Sequence, residues 1–256
     1  MSVWLQDCSW QELAERRQAA KNVVIIPVGS TEQHGNHLPL GTDTMVAMML
    51  AEDGAMRTGV VAAPPLWFGW SPHHMVLPGT ITVRPEILIE VLYDVIQSLQ
   101  AHGFTKFIVI NGHRIVNIPW MQLAAERAQR QMGVKVVLFD PAYMSKEIIG
   151  KLGFGPVGHS EEIETSQMLY KHPDLVHMEK ALDNPVPKHE LYSVDPGYAG
   201  DTLCYVPSSL KDMQRSADVA GGTTGTPAKT CPVKGKEYHE HLVGNLIKVI
   251  RQLQQI

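Results

Sequence analysis

The feature that most constrains the fold of this chain is a repeated alternation between buried strand patterns and amphipathic helix patterns. Four short apolar runs lack a polar face, which is typical of strands covered on both sides. They span 23–28, 60–63, 106–110 and 134–139. Helical periodicity separates them at 44–56, 85–102 and 119–132. This order predicts one α/β domain over residues 1–256, with a parallel or mixed sheet covered by helices on both faces.

The remaining part of the chain combines two further helix patterns with a long irregular segment. The helices are predicted in HSEEIETSQMLY, which follows Gly158, and over 234–255. Residues 183–233 between them are rich in Pro, Gly, Ser and Thr. A connection of that length is more often an active-site or interface loop than a spacer, so we expect it to belong to the same domain.

Composition narrows the function classes. Lys and Arg number 22 against 26 Asp and Glu, and no stretch gathers the basic residues into a stripe, so we expect no nucleic-acid partner. The apolar run 23–28 is far shorter than the ~20 residues that span a bilayer, so no membrane partner is expected. The first residues do not read as a secretory signal. Three scattered cysteines, Cys8, Cys204 and Cys231, argue against a disulfide framework and favour the cytoplasm.

Acids and histidines follow two of the predicted strands. Glu32, His34 and Asp43 lie in the loop after the first strand, where alternate residues of an extended chain face the same side. His113 directly follows the strand 106–110, at the sheet edge where α/β proteins bind ligands. Carboxylates with imidazoles suit zinc, manganese or iron. Taken singly, the Glu-x-His pair is more often a solvated loop, and His113 could instead cap the next helix.

A third cluster suggests two metal ions rather than one. His159 and Glu162 are three residues apart on a predicted helix and would share a face. Glu161 and Glu164 would point elsewhere, as surface acids or as acids that contact the ligands from behind. The three candidate carboxylates and the two imidazoles after the strands suit a two-metal site, with Asp43 as the bridge. Such a site holds a water as hydroxide beside a polarised carbonyl, which leaves His159 free for proton transfer.

Five motifs in order resemble the creatininase (creatinine amidohydrolase) family over nearly the whole chain. They are GSTEQHGNHLPLGTD, SPHHMVLPGT, NGHRIVN, GHSEEIETS and GGTTGTPAKTCPVKGKEY. The resemblance implies a three-layer α/β/α sandwich with a mostly parallel central sheet and two divalent ions, Zn with Mn or Fe. It puts Glu32, His34, Asp43 and His113 on metal-ligand positions. It also implies a homo-oligomer, typically a hexamer, to which 183–233 could supply contacts or a lid.

The sequence departs from creatininase itself at two places. Ile115 stands where creatininase has an acidic metal ligand, and other members take that ligand from a glutamate on the later helix, which the spacing identifies as Glu162. Creatininase closes tryptophans over creatinine near the segment before its helix histidine. Here that segment reads GFGPVGHS, without an aromatic residue after Phe154. Creatinine is therefore not the expected substrate.

Four further residues are candidates for contact with the substrate: His74, Arg114, Trp70 and Tyr143. His74 lies on a loop that borders the substrate in the family, whereas its neighbour His73 is expected to face solvent. The Arg114 guanidinium could hold a carboxylate or hydroxyls, or form a surface salt bridge. The two aromatic residues could equally be ordinary packing.

The sequence therefore predicts a binuclear metal-dependent hydrolase that opens a small polar cyclic substrate through attack of a metal-bridging hydroxide on a carbonyl. The resemblance implies a cyclic amide or a keto-cyclitol such as 3-dehydro-scyllo-inosose. Removal of a formyl group from an aminopyrimidine, and a non-catalytic metal or ligand sensor on the same fold, remain alternatives. A nucleotide-binding module is set aside because neither G-x-G-x-x-G nor a Walker lysine is present.

Overall fold

The centre of the molecule is a four-stranded sheet with every pair parallel, in the order β2-β1-β3-β4. The strands are β1 Val23–Val28, β2 Val61–Ala62, β3 Lys106–Asn111 and β4 Lys135–Phe139. The computed structural model describes residues 2–155, 157–185, 192–193, 204–205 and 209–256. Both central strands are almost wholly buried, as the absence of a polar face predicts.

Helices account for most of the described residues. They are α1 Trp10–Ala19, α2 Thr42–Thr58, α3 Pro85–Ala101, α4 Ile118–Met132, α5 Pro141–Met144, α6 Lys146–Leu152, α7 Glu162–Lys171, α8 Leu210–Ala220 and α9 Pro232–Gln255. Helices α3, α4 and α9 begin with proline in the first turn, where its missing N–H costs no hydrogen bond. Two short strands, β5 Tyr192–Ser193 and β6 Cys204–Tyr205, form a separate parallel pair.

Alternate residues of the sheet feed two separate apolar cores, one on each face. Ile25 and Ile108 pack with α2 and α9, whose Leu50 and Leu246 are fully buried. On the opposite face, Val24 and Phe107 of the same strands pack with buried residues of α3 and α4. Helix, sheet and helix therefore form three layers. The predicted three-layer sandwich with a mostly parallel sheet is confirmed.

The segment 183–233 is less irregular than its composition suggests. Ser209 caps the start of α8 in a reciprocal pair with Asp212, and Gly221 ends the helix in the left-handed conformation. Helix α8 packs against a short 3₁₀ helix, Pro72–Val76. Residues 186–191, 194–203 and 206–208 of this segment lie outside the described residues. Within the described ranges, no helix is long and apolar enough to cross a membrane.

The carboxyl ends of β1 and β3 meet at one point of the sheet edge. Val28 and Asn111 are paired, and Gly112 N–H donates to the Val28 carbonyl over 2.7 Å. The backbone of Gly112 approaches the start of α2 so closely that a Cβ there would lie 1.8 Å from the Asp43 carbonyl oxygen. Only glycine permits this contact. It brings the residue after Gly112 next to the first turn of α2.

Candidate metal centre

The loop after β1 and the first turn of α2 place three buried ionisable side chains together. Glu32 and His34 are fully buried, and Asp43 is 2% exposed. His34 Nδ1 lies 3.1 Å from the Glu32 carbonyl oxygen, which only accepts, so the Nδ1 proton is directed there. His34 Nε2 then faces Asp43 Oδ1 over 3.1 Å. The backbone contact thus sets which imidazole nitrogen points into the centre.

His113 completes this group from the neighbouring strand. Its Nδ1 lies 3.1 Å from Asp43 Oδ2, and its Nε2 lies 3.3 Å from Glu32 Oε2. The Asp43 carboxylate therefore stands between two imidazoles, with one oxygen toward each. The turn that carries His113 is held by Asp140, which accepts hydrogen bonds from Asn111 Nδ2 and from Ile115 N–H.

Two more imidazoles reach Glu32 from the other side. His74 Nε2 and His159 Nδ1 lie 3.3 and 3.6 Å from Glu32 Oε1, and the two rings are 4.0 Å apart. His159 precedes α7 in a short antiparallel bridge with Thr224, through two backbone hydrogen bonds. Both imidazoles are nearly buried. The segment 209–233 therefore lies beside His159 at one side of the site.

Gln33 sets the orientation of both of these imidazoles. Its Oε1 accepts from Gly35 N–H, so its Nε2 is the donor to His74 Nδ1 over 2.8 Å. His74 must then carry its own proton on Nε2, toward Glu32. His159 Nε2 lies 2.6 Å from the Gln33 carbonyl oxygen, which requires a proton on that nitrogen. The Nδ1 atom of His159 is left without a proton and faces the site.

Several carboxylate oxygens at the centre lack a hydrogen bond. Among the described residues, Glu32 Oε1 and Oε2 and Asp43 Oδ2 are buried without a partner of hydrogen-bonding geometry, although imidazole nitrogens stand nearby. Buried unpaired carboxylates are costly unless a cation compensates them. Three groups bring ligand atoms within 4.8 Å of one another: Glu32, Asp43 and His113; His34, His159 and Glu164; and Glu32, His74 and His159. Carboxylate and imidazole donors without thiolate fit zinc, manganese or iron.

The charges of this centre are strongly coupled. Burial raises the pKa of Glu32 to about 7, and the Asp43 charge acts in the same direction against the imidazoles. Burial opposes protonation of His34 and His113, but the carboxylates outweigh it and raise their pKa values to about 10 and about 9. Despite burial, the same imidazoles hold the pKa of Asp43 well below its usual range. The centre keeps anionic oxygen next to positive charge, the balance that bound cations would replace.

Comparison with known proteins identifies the family. The creatininase family, described as creatinine amidohydrolase, matches residues 6–250. The chain belongs to the creatininase family. It is 30% identical over 272 residues to a 3-dehydro-scyllo-inosose hydrolase of Thermotoga maritima, covering 99% of this chain and 84% of that protein. It is 30% identical over 217 residues to a creatinine amidohydrolase of Pseudomonas putida, covering 76% of this chain and 83% of that protein.

The likeness extends to the three-dimensional fold. A solved structure described as "Creatininase Mn" has a TM-score of 0.80 and 26% identity, and the match covers 98% of both chains. With family membership, this makes the chain a metal-dependent hydrolase of α/β fold. The residues selected from the sequence as metal ligands after β1 and β3 all converge at its centre; they are Glu32, His34, Asp43 and His113.

The structure places Glu162, the glutamate expected from the later helix, outside the three groups of ligand atoms and brings Glu164 toward them. Glu162 does not enter any of the three groups of ligand atoms; its Oε1 accepts from Gly155 N–H instead. Glu164 lies toward the centre, with Oε2 3.9 Å from His34 Nε2. The reason is local. Helix α7 begins only at Glu162, and Ser160 has a positive φ of 55°, so helical spacing does not relate His159 to Glu162.

Arg114 is buried rather than at the surface. Its Nη2 donates to Glu161 Oε1 over 2.6 Å and forms an ion pair with Glu164 Oε1 over 2.6 Å, so neither glutamate points away from the site region. His73 is also half-buried, and its ring stacks on His113 at 6.3 Å instead of facing solvent. Sequence reasoning missed Glu164 and Gln33 as site residues. The available signal for Glu164 was its position in the first turn of the helix that follows His159.

The two candidate aromatic residues lie at different distances from the centre. The Trp70 carbonyl oxygen is 3.3 Å from His113 Nε2, while its half-buried side chain packs against the core on the α3 and α4 face. Tyr143 lies on α5 with 42% of its surface exposed, and its ring contacts the Lys146 ammonium. The contacts described for Tyr143 include no residue of the metal centre. Its role toward a substrate stays a prediction.

Proposed function

We propose that this chain is a binuclear hydrolase that opens the ring of a small polar cyclic substrate, and that residues 1–256 form one such domain. The observation that carries the proposal is the Asp43 carboxylate, which directs one oxygen toward His34 and the other toward His113 at 3.1 Å each. A carboxylate between two separate imidazoles suits a bridge between two ions. Family membership supports the same reading.

The side chains divide into two ligand sets around this bridge. Glu32, Asp43 and His113 would hold one ion, and His34, Asp43 and Glu164 would hold the other. Glu164 takes the place assigned to Glu162 from the sequence. When bound, the two ions would lower the pKa of a water between them and polarise the substrate carbonyl. Zinc, manganese and iron all match these donors.

His159 is the group proposed to carry the proton. Hydrolysis adds a hydroxyl group to the carbonyl carbon and a proton to the atom that leaves, which is nitrogen in a cyclic amide and carbon in a keto-cyclitol. His159 Nε2 is held by the Gln33 carbonyl, so Nδ1 faces the centre and can accept a proton there and pass it on. His74 is oriented by the Gln33 amide to donate toward the same region.

A keto-cyclitol such as 3-dehydro-scyllo-inosose is the proposed substrate. The match to the Thermotoga maritima hydrolase of that compound covers 99% of this chain. The segment 155–158 next to His159 contains no aromatic residue that could enclose a flat ring. Polar groups instead line the centre, including the extra imidazole of His74. A polyhydroxylated ring offers them hydroxyl partners. A cyclic amide and an aminopyrimidine formamide are the alternatives within the family.

The proposal includes a reducing compartment, the cytoplasm, and assembly into a homo-oligomer. Cys8 and Cys231 carry free thiols, which supports the first. The family supports the second. Sedimentation of the purified protein at several concentrations tests the assembly, and a concentration-independent monomer would contradict it.

Metal content and turnover test the hydrolase proposal together. Protein purified without chelator should contain about two divalent ions per chain by elemental analysis. After loading with zinc or manganese, it should convert a keto-cyclitol to the ring-opened acid, followed by NMR, beside a panel of lactams and formamides. Glu240→Gln, on the surface of α9, is the matched control. One ion or none after loading would overturn the binuclear mechanism. Two ions with no turnover on any class would favour a sensor.

A further inference from the structure

We propose that Arg114 is a positioning residue that holds Glu164 in place as a ligand of the second ion, rather than a residue that binds substrate. This inference rests on the proposed binuclear function. Arg114 directly follows the candidate ligand His113, and its side chain is only 5% exposed. Its Nη2 atom contacts three oxygens, from Glu161, Glu164 and the Gly158 carbonyl. These contacts, all made through Nη2, fix the position of the guanidinium, while its Nη1 atom is buried without a hydrogen-bond partner among the described residues.

The two oxygens of Glu164 have separate partners. Oε1 forms an ion pair with Arg114 Nη2 over 2.6 Å. Oε2 accepts from Ser160 N–H over 2.8 Å and lies 3.9 Å from His34 Nε2. With one oxygen held by a permanent cation and the other by a backbone donor, the carboxylate plane has a fixed orientation. That orientation directs Oε2 toward His34.

Position 115 explains why such a device is needed. Ile115 has a positive φ of 70°, is 7% exposed, and its side chain belongs to the apolar core beneath the site. It cannot ligate a metal. The carboxylate that lies near His34 comes instead from α7, where Arg114 contacts it. Ligands that come from a separate element depend on outer contacts for their orientation.

Electrostatics favours the same role. Glu161 and Glu164 are both buried beside Arg114, and Glu161 also caps α7 through the N–H groups of Ile163 and Glu164. Two carboxylates in a buried site repel each other, and this repulsion would push them apart unless a cation lay between them. Arg114 supplies that cation. A displaced Glu164 would no longer direct Oε2 toward His34.

The test compares ion binding to the metal-free parent and to Arg114→Met and Arg114→Lys, by calorimetry with zinc and by EPR with Mn²⁺. The parent should bind two ions and give the signal of a coupled manganese pair. In Arg114→Met the first ion should bind unchanged, while the second should bind about 10- to 100-fold more weakly, leaving the signal of single Mn²⁺. Arg114→Lys should recover part of the second affinity.

Glu240→Gln is the control, because it removes one glutamate charge from an exposed pair on α9 and leaves Arg114, Glu161 and Glu164 unchanged. It should bind both ions as the parent does. If Arg114→Met does not fold, Arg114→Met/Glu161→Gln removes one charge of each sign and should show the same loss at the second ion. Parent affinity for both ions in a folded Arg114 variant would overturn the proposal, as would a raised KM with unchanged ion binding. A parent that binds fewer than two ions would instead overturn the binuclear function.

Discussion

Helix α2 carries two buried aspartates whose surroundings differ in one decisive respect. Asp43, in its first turn, has an oxygen without a hydrogen bond, beside the similarly unpaired Glu32. Asp53, three turns later, accepts from Lys171 Nζ over 2.6 Å and from His239 Nε2 over 2.8 Å. His239 is in turn paired with Gln167. Both clusters contain acid and histidine, but only one is complete without a ligand.

The comparison separates a binding site from a structural network. A buried polar network whose members are all paired adds rigidity, and it links α2, α7 and α9 here. A buried cluster with unpaired carboxylate oxygens is stable only if something else compensates its charge. The composition of the two clusters is similar. The pairing of the individual oxygen atoms is what assigns one of them to metal binding and the other to stability.

The largest expected effect comes from Asp43→Asn. Loss of the proposed bridge should reduce the metal content to one ion or fewer and turnover by more than about 100-fold. Zinc or manganese should raise the melting temperature of the parent, since ions bind only the folded chain, and should raise that of this variant clearly less. Calorimetric melts with and without ions check the result. A variant that retains two ions would contradict the assignment of Asp43 to metal binding.

Asp53→Asn should show the opposite profile. The metal content and the ion-induced rise in melting temperature should stay those of the parent. The free energy of unfolding should fall by about 2 kcal/mol, because Lys171 and His239 lose their anionic partner. Urea unfolding of the metal-free proteins measures it. Loss of an ion in this variant would show that the two clusters are coupled through α2.

The stability difference between the parent and Asp53→Asn should depend on pH in a defined direction. Burial opposes ionisation of Asp53, but His239 and Lys171 lower its pKa from 3.8 to about 2. A lowered folded-state pKa adds stability above pH 3.8 that is lost as the pH falls toward 2. The difference should be constant from neutral pH down to about pH 5 and should shrink below about pH 4. A difference that grows on acidification would contradict this assignment.

The smallest effect should come from the exposed pair at the carboxyl end of α2. Arg57 donates to both oxygens of Glu240 over 2.7 and 2.8 Å, with both side chains at least 36% exposed. Glu240→Gln should cost about 0.5 kcal/mol or less in urea unfolding, because solvent screens such pairs. Its metal content should match the parent's. A loss of stability as large as that of Asp53→Asn would mean that burial does not determine how much an ion pair contributes to the free energy of unfolding.

Periodicity and strand ends carried most of the sequence-based prediction. Apolar runs without a polar face predicted the strands of the sheet. The loops after β1 and β3 predicted that Glu32, Asp43 and His113 would converge, because parallel strands end at one edge. The choice between Glu162 and Glu164 depended on where α7 begins. The start of α7 is set by the left-handed backbone conformation of Ser160 and by the bridge from His159 to Thr224. The bridge joins residues that are distant in sequence.

Two other features were hidden for similar reasons. The burial of Arg114 depends on the fold of α7 over it, which no local pattern of charges reveals. Helix α8 had a readable signal in the Ser209 and Asp212 spacing and the terminal Gly221, although the surrounding Pro- and Gly-rich composition suggested a loop. Local signals therefore predict elements well. The pairing of individual polar atoms needs the assembled chain.

The contacts of Gln33 have a consequence for folding. Its backbone carbonyl accepts from His159, 126 residues later, and its amide reaches the Gly222 carbonyl, 189 residues later. Closing chain segments of that length costs entropy before any contact is gained, so the pocket forms only once the loop after β1 has met both His159 and Gly222. Partly folded chains lack the complete set of ligands. Bound ions would therefore slow the unfolding of the native chain and leave its folding rate nearly unchanged.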